Sequence, residues 1–253
     1  MRGTLSAVLL AAVLVSPAGA DDYRFEVRAA LDRDQPDGDF PGGDPQTLQL
    51  SGTWYFAPVS TEAVPLAEAA FLGKASNLSA VAARFEVFDE HLNAQAANIG
   101  YYFPGGLFFA SAGVSRSQNI TAINSQVVLK ETNTRWFGAL GVTPLDGLLV
   151  TTDFDENGYD PNITARHVGK LPNAHFYAGS VGVVKPDDGD TFFRLDFDYY
   201  FDDTTSAGVG YADGSEAITL RGRKFFSQAW ALGVSAYTAD GADGFNIEVT
   251  WRH

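Results

Sequence analysis

One stretch of the chain alternates large apolar residues with charged ones. From Phe193 to Phe201 every second residue is large and apolar, and Arg194, Asp196 and Asp198 lie between them. Because successive side chains of a strand point to opposite faces, this stretch predicts a strand with one aromatic face and one charged face. A short polar turn and the Gly-rich run Ala207–Tyr211 follow, which predicts a hairpin.

Three other stretches end in adjacent aromatic residues followed by a turn. They are Trp54-Tyr55-Phe56 before Ala57-Pro58, Tyr101-Tyr102-Phe103 before Pro104-Gly105-Gly106, and Lys224-Phe225-Phe226 before Ser227-Gln228. Girdles of aromatic residues joined by short turns are typical of a transmembrane β-barrel. The alternative is a secreted β-sandwich, whose aromatic faces would form a buried core.

The N-terminus has the features of a secretory signal peptide. Arg2 precedes the apolar run Leu5–Val15, and Ala18-Gly19-Ala20 provides a cleavage site. The apolar run is shorter than the ~20 residues that a membrane-spanning helix requires. The sequence therefore predicts a signal peptide at residues 1–20 and an outer-membrane barrel at residues 21–253, with no transmembrane helix.

The composition argues against several classes of function. The chain has 31 acidic and 17 basic residues, a net charge of −14, which disfavours nucleic-acid binding. It has no cysteine, its four histidines are not spaced as a metal pair, and it has no G-x-S-x-G turn. We therefore predict a protein that is not an enzyme and that has no metal site, no cofactor and no nucleic-acid partner.

The alternating stretches number fourteen, or twelve if two weak ones merge, and predict an all-β fold with one antiparallel transmembrane barrel. The first strand is predicted at Tyr23–Leu31, followed by a long loop at Asp32–Pro45. The region Asn119–Asn133 has the character of a loop with strand-like edges. With the N-terminus in the periplasm, the short turns lie on the periplasmic side and the acidic loops lie outside.

If the apolar faces meet lipid, the charged residues between them line the lumen. The candidates are Arg24, Glu26, Arg28, Arg84, Glu86, Arg116, Arg166, Arg194, Asp196, Asp198, Arg221, Arg223 and Glu248. Rings of mixed charge would screen solutes by charge and size. Alternatively, these charges pair across strands and have no conducting role. Because arginines outnumber acids here, we expect weak anion preference or near-neutral selectivity despite the acidic chain, whose loop charges are screened.

The stretch Ala57–Lys74 interrupts the strand pattern. Pro65 is suited to the start of a helical turn, and one side of that turn would be covered by Leu66, Ala69, Ala70 and Leu72. Two interpretations are open. The stretch folds into the lumen and constricts it through Pro65, Leu66, Glu68 and Phe71, or it forms an extended turn against the rim.

The same stretch carries a family resemblance. With the preceding W-Y-F, Ala57–Leu78 reads A-P-V-S-T-E-A-V-P-L-A-E-A-A-F-L-G-K-A-S-N-L. It resembles the Y-F-x-P-V-x-T…P-L-A-E-A-A-F-L segment of a family of general bacterial porins. Outer-membrane barrels commonly end in an aromatic residue, whereas His253 occupies that position here.

The resemblance implies a Gram-negative outer-membrane barrel that passes small hydrophilic solutes by passive diffusion. Its partners would be outer-membrane lipids, lipopolysaccharide and those solutes. The alternative function is a non-conducting structural or surface-interaction barrel, whose acidic loops contact lipopolysaccharide or another partner.

Overall fold

Fourteen antiparallel strands dominate the computed structural model, which describes residues 22–36, 44–87, 90–123, 126–156, 158–185 and 190–253. The predicted fold class and the strand number of fourteen are confirmed. The predicted signal peptide and the acidic loop residues Asp37, Asp39, Asp187 and Asp188 lie outside the described residues. The strands are β1 (Asp22–Pro36), β2 (Gln46–Ser60), β3 (Asn77–Val87), β4 (Glu90–Tyr102), β5 (Phe108–Ile123), β6 (Gln126–Val142), β7 (Leu148–Asp155), β8 (Gly158–Lys170), β9 (Phe176–Val184), β10 (Phe192–Tyr200), β11 (Thr205–Ala212), β12 (Ala217–Phe225), β13 (Trp230–Ala239) and β14 (Ala242–Arg252).

The barrel closes because the first strand pairs with the last. Every strand pairs with its sequence neighbours, and β1 also pairs with β14, with Val27 opposite Trp251 and Leu31 opposite Ile247. The His253 carbonyl extends this ladder by accepting the N–H groups of Arg24 and Phe25. Closure removes free sheet edges, as a strand protein in lipid requires. We call the end where β1 begins and β14 ends the terminal end, and the opposite one the far end.

The outer face of the barrel is apolar. Phe197 is 46% exposed, Trp136 is 49% exposed and Leu220 is 63% exposed, although each is a large hydrophobic residue. On β10 the charged residues Asp196 and Asp198 point the other way, as the alternation predicts. This arrangement reverses that of a soluble protein and suits a barrel that meets lipid. Among the described residues, no helix is long and apolar enough to cross a membrane.

The aromatic triplets lie at the terminal end and face two ways. The first and third rings of a triplet point outward and touch, with centroids 5.1–5.3 Å apart, in Trp54–Phe56, Tyr101–Phe103 and Tyr199–Phe201. The middle residue points inward, and Tyr55 and Tyr200 are almost fully buried there. The triplets therefore build both an outer girdle and part of the inner wall.

Several strands are longer than the sequence predicts. The predicted loop at Asp32–Pro45 is wrong in its first part, because β1 continues to Pro36 and Asp34 pairs with Gly244. The region Asn119–Asn133 is mostly the β5–β6 hairpin, whose strands have 16 and 17 residues. About 9–11 residues suffice to span a bilayer, so these strands extend past the apolar band at the far end. There the hydrogen-bonded ladder continues while the apolar alternation stops.

The linker between β2 and β3, residues 61–76, folds into the terminal end of the barrel. It contains a 3-10 helix (Leu66–Glu68) and one turn of helix, α1 (Ala69–Leu72). Pro65, at its centre, is fully buried. We call residues 61–76 the inserted segment.

Three apolar clusters hold the inserted segment. In the first, Ala69 packs on inward residues of β1 and β2; in the second, Leu66 packs on β12 and β13; in the third, Ala67, Phe71 and Leu72 pack on β8, β9 and β10. The strand residues in these clusters are Tyr23, Tyr55, Val59, Phe225, Ala231, Val168, Ala178 and Tyr200. Because these strands lie on different sides of the barrel, the segment crosses its interior.

Candidate functional site

The inward wall carries nine of the thirteen predicted pore-lining residues. Strand pairing and ion pairs place the following side chains on the inner face: Glu26, Arg28, Arg166, Arg194, Asp196, Asp198, Arg221, Arg223 and Glu248. All nine belong to β1, β8, β10, β12 and β14. The inward faces of β2–β5 carry mainly small or uncharged residues, such as Ser51, Ala96 and Ser115.

A β-bulge overturns the predicted position of Arg24. The register of β1 against β2 shifts between Tyr23 and Phe25, and the N–H groups of Arg24 and Phe25 both donate to the His253 carbonyl. Two bulged residues share a face, so Arg24 points outward with Phe25. Tyr23 takes the inward position instead and is 5% exposed.

Arg84, Glu86 and Arg116 also point outward rather than into the lumen. On β3 the outward register is set by Leu78, which lies opposite Trp54, and Arg84 and Glu86 share its parity. On β5 Arg116 shares the face of Val114, which lies opposite the exposed Trp136. β3 is rich in alanine on both faces, so apolar alternation gives little information about its orientation. On their strands these three residues lie nearer the far end than Leu78 and Val114 do.

Arg221 forms the most extensive ion-pair group of the wall. Its Nε and Nη2 atoms donate to the two carboxylate oxygens of Asp198, at 2.8 and 2.9 Å, and Nη1 donates to Asp196 at 2.6 Å. The arginine lies on β12 and both aspartates lie on β10, so the contacts pass over β11. Gly208 and Gly210 of β11 lie beneath them, where a Cβ at Gly208 would collide with the Asp198 carboxylate. The Gly-x-Gly pattern of β11 thus allows a bidentate pair to form across a strand.

We expect Gly208→Ala to lower the free energy of unfolding by about 1–3 kcal/mol, the usual cost of overpacking. The matched control is Gly222→Ala on the outer face of β12, where the nearest atom to an added Cβ is 3.8 Å away. The control should stay within about 0.5 kcal/mol of the parent. Urea titration of the detergent-solubilised barrel, followed by tryptophan fluorescence, measures both. Equal effects would contradict the role of Gly208.

Arg223 and Glu248 repeat the same arrangement one strand further on. Arg223 on β12 donates from Nη2 to Glu248 Oε1 on β14 at 2.8 Å, and Gly233 on β13 lies between them. A Cβ at Gly233 would lie 3.5 Å from Glu248 and 3.7 Å from Arg223. Acid and base on alternate strands, with glycine between them, give the wall a ladder of paired charges.

Glu26 is the most enclosed acid of the wall. Its side chain is 3% exposed and accepts Arg28 Nε at 2.7 Å and Arg252 Nε at 2.6 Å, each on a different oxygen. The guanidinium of Arg252 is also 3% exposed and lies between the rings of Tyr23 and Phe225, at 4.4 and 4.7 Å. No pattern in the sequence singles out Arg252, which also donates from Nη1 to the Leu66 carbonyl at 2.8 Å.

Glu68 ties the inserted segment to the opposite wall. One of its oxygens accepts Arg166 Nη2 at 2.6 Å, and the other accepts the Tyr200 hydroxyl at 2.5 Å. The Arg166 guanidinium lies 4.6 Å from the centre of the Phe71 ring. The four predicted constriction residues are therefore all held by contacts in the barrel interior: Pro65, Leu66, Glu68 and Phe71.

A turn at the terminal end adds a backbone tether. The Asp203 carbonyl in the β10–β11 turn accepts the Leu66 N–H at 2.8 Å. The turn is fixed by Asp202, whose carboxylate accepts both the N–H and the hydroxyl of Thr204. These bonds lower the pKa of Asp202 to about 2. The Asp202 carboxylate therefore stays ionised, and the turn keeps these hydrogen bonds, at all physiological pH values.

A cavity of about 420 Å³ lies above the inserted segment. Ala67, Glu68 and Tyr200 form its floor, and the charged ladder of β8–β14 and β1 forms its wall. Among the described residues, no group of three or more His, Cys, Asp or Glu side chains is placed to hold a metal ion.

Comparison with solved structures identifies a similar barrel. The outer membrane protein Omp33 of Acinetobacter baumannii superposes with a TM-score of 0.72 at 21% identity, over 92% of this chain and 99% of that one. The chain has the fold of Omp33. The KdgM porin aligns at 14% identity over 88% and 98% of the two chains, with a TM-score of 0.42. A Rh. blastica porin variant aligns at 9% identity over 91% and 99%, with a TM-score of 0.43.

No protein-family model matches the chain, and no curated protein sequence matches it. The likeness to Omp33 extends over nearly the whole of both chains. The closed barrel is the fold that the porin resemblance of Ala57–Leu78 implies.

Proposed function

We propose that the chain forms a passive channel for small hydrophilic solutes in the outer membrane of a Gram-negative cell. The observation that carries the proposal is the contrast between an apolar outer face and a charged, hydrogen-bonding inner face in a closed barrel. Such a barrel is stable only with lipid outside and water or polar side chains inside. The proposed channel needs no cofactor and no catalytic residue.

The arrangement of the chain ends favours one orientation. We place the terminal end in the periplasm, to which a signal peptide at residues 1–20 would deliver the chain. The far end, with acids such as Asp34, Asp44 and Asp243, would then lie on the outside of the cell. In this orientation the outer girdles contact membrane lipids, and the far-end strands reach the level of lipopolysaccharide.

The inserted segment is proposed as the constriction. It contacts nine strands, namely β1, β2, β4, β8, β9, β10, β12, β13 and β14, and the contact with β4 is the Tyr102 N–H that donates to Ser76 Oγ. Solutes would therefore pass beside it, along the inner faces of β3 and β5–β7. The interpretation of Ala57–Lys74 as an extended turn on the rim does not account for the burial of Pro65 and Glu68.

The paired charges revise the expected selectivity. Around the cavity and the segment, five guanidiniums (Arg28, Arg166, Arg221, Arg223 and Arg252) pair with five carboxylates (Glu26, Glu68, Asp196, Asp198 and Glu248). The positive excess expected from sequence included Arg24, Arg84 and Arg116, which point outward. Elsewhere on the inner face Asp32, Asp34, Asp153 and Asp155 accompany Arg135 and Arg194, so the wall has no positive excess, which favours the near-neutral alternative over anion preference.

Planar-bilayer recording tests the channel and its selectivity together. We expect discrete conductance steps in KCl and a reversal potential close to zero across a KCl gradient. Replacing Arg221 and Arg223 with glutamine should shift the reversal potential towards cation selectivity, because Asp196, Asp198 and Glu248 then lose their partners. The control Arg116→Gln removes the same kind of charge from the outer face and should leave the potential unchanged. Strong cation selectivity of the parent barrel would contradict the balanced wall.

One observation favours a non-conducting structural barrel as the second candidate. The inserted segment is anchored on nine of the fourteen strands, which leaves less than the full lumen free. Purified barrel that inserts into the bilayer and gives no conductance steps would establish this alternative over the channel.

A further inference from the structure

We infer that the lumen cavity is a binding site for small monocarboxylates, held by the guanidiniums of Arg28, Arg166 and Arg223. The inference rests on the proposed function in that it assigns a class of solute to the proposed channel. It draws on the hydrogen-bonding capacity of the wall, on its local charge and on the size of the cavity.

The three arginines have hydrogen-bond donors to spare. A guanidinium carries five N–H groups. Among the described residues, each of the three donates to a single carboxylate: Arg28 to Glu26, Arg166 to Glu68 and Arg223 to Glu248. Their side chains are 39%, 43% and 30% exposed, and all three line the cavity. The remaining N–H groups are therefore within reach of a solute.

The acids of the wall have far less capacity left. Both oxygens of Glu68 are occupied, as are both oxygens of Glu26 and of Asp198. Glu68 and Glu26 are only 4% and 3% exposed, so they lie behind the guanidiniums that they orient. A solute in the cavity meets many donors and few acceptors. This favours a ligand that accepts hydrogen bonds, and a carboxylate accepts them in the planar geometry of a guanidinium.

The charge of the cavity lining also favours a negatively charged solute. The ion pairs around the cavity and the inserted segment balance, but the cavity itself is lined by four guanidiniums (Arg28, Arg166, Arg221 and Arg223) and three carboxylates (Glu68, Asp198 and Glu248). One negative charge on the solute would neutralise this difference. A dianion would reverse it, so the site fits a monocarboxylate best.

The uncharged part of the cavity wall suits a small polar solute. The cavity of about 420 Å³ is near the lower end of the range for ligand sites, about 300–1,000 Å³. Ser206, Thr219, Ser235 and Asn246 present hydroxyl and amide groups between the arginines. These groups would bind the hydroxyl of a small hydroxy acid, so lactate is a suitable probe.

Calorimetric titration of the detergent-purified full chain with sodium lactate tests the inference without requiring conduction. We expect saturable binding of lactate and no measurable binding of lactamide, which is its neutral counterpart. Arg223→Gln should weaken lactate binding by about tenfold or more, because it removes a charge-assisted contact and leaves Glu248 unpaired. Arg116→Gln, on the outer face, should bind lactate as the parent does.

Glu248→Gln provides the discriminating variant. It frees the Arg223 guanidinium and removes a negative charge, so it should strengthen lactate binding, whereas a general disturbance of the wall would weaken binding in both variants. Equal binding of lactate and lactamide, no binding at all, or weakening by Glu248→Gln would overturn the inference. A separate measurement of bilayer conductance distinguishes failure of the binding site from failure of the channel. Conductance without lactate binding leaves the channel standing and refutes the site, and lactate binding without conductance refutes the channel and leaves the site standing.

Discussion

Excising the inserted segment should at least roughly double the single-channel conductance in KCl, because the segment crosses the terminal end and occupies area that would otherwise carry ions. The suitable variant replaces residues 61–74 with a short Gly/Ser linker. It keeps Val59 of β2 opposite Tyr23 and leaves β3 to begin at Asn77. The barrel ladder itself is untouched, since every strand retains both neighbours.

A control variant at the same end of the barrel distinguishes a wider pore from a general disturbance of the structure. Pro172→Gly with Ala174→Gly alters the exposed β8–β9 turn, where Ala174 has a positive φ of 67° that glycine adopts readily. This control should conduct as the parent does. Conductance steps of unchanged size after excision would show that the constriction lies elsewhere.

The excised barrel should also be less stable, because Tyr23, Tyr55 and Phe225 lose their apolar partners. Circular dichroism of both variants checks that the strands persist.

The strand framework follows from sequence because it depends on a strong local signal. The alternation from Phe193 to Phe201 and the aromatic triplets are large side chains in fixed parity, and both occur in the barrel as predicted. The signal fails where the side chains are small. In β3, Ala80, Ala82 and Ala83 make the two faces alike, so the register is decided by the pairing of Leu78 with Trp54. No periodicity in β3 itself carries that information.

The position of Arg24 depends on a different physical effect. The register of β1 against β2 shifts between Tyr23 and Phe25, and the parity of β1 reverses there, so that Tyr23 points inward and Phe25 outward. The bulge forms where the chain ends at His253, whose carbonyl binds two successive N–H groups. This is a contact between the two ends of the chain, and a local pattern does not reveal it.

One signal for the inserted segment was present in the sequence. The middle residue of each aromatic triplet falls on the face predicted to be polar, which is an unusual place for Tyr55, Tyr200 and Phe225 in a water-filled lumen. In the barrel Tyr55 packs on Ala69, Tyr200 donates a hydrogen bond to Glu68, and Phe225 packs on Leu66. Aromatic residues at inward positions of one barrel end therefore predict that something packs there, although they do not identify it.

The buried pair of Glu26 and Arg252 should be the most sensitive point in the barrel. The two side chains are each 3% exposed and lie 2.6 Å apart. Removing Arg252 leaves one Glu26 oxygen without its partner in a site closed to water, with only Arg28 left to pair with that carboxylate. We therefore expect Arg252→Gln to lower the free energy of unfolding by about 3–5 kcal/mol. Urea titration of the detergent-solubilised barrel and the temperature of heat-modified gel migration both measure the loss.

Two further variants determine whether the cost comes from the unpaired charge. Arg194→Gln breaks the pair with Asp196, but Arg194 is 68% exposed, so its effect should stay below about 1 kcal/mol. The double variant Glu26→Gln with Arg252→Gln removes both charges and should be more stable than the sum of the single changes predicts, because neighbouring partners are not additive. An additive double variant would instead assign the cost to the contacts of Arg252 with Tyr23, Phe225 and the Leu66 carbonyl. In that case Arg252 would stabilise the barrel mainly as a packing and tethering residue that joins β14 to the inserted segment.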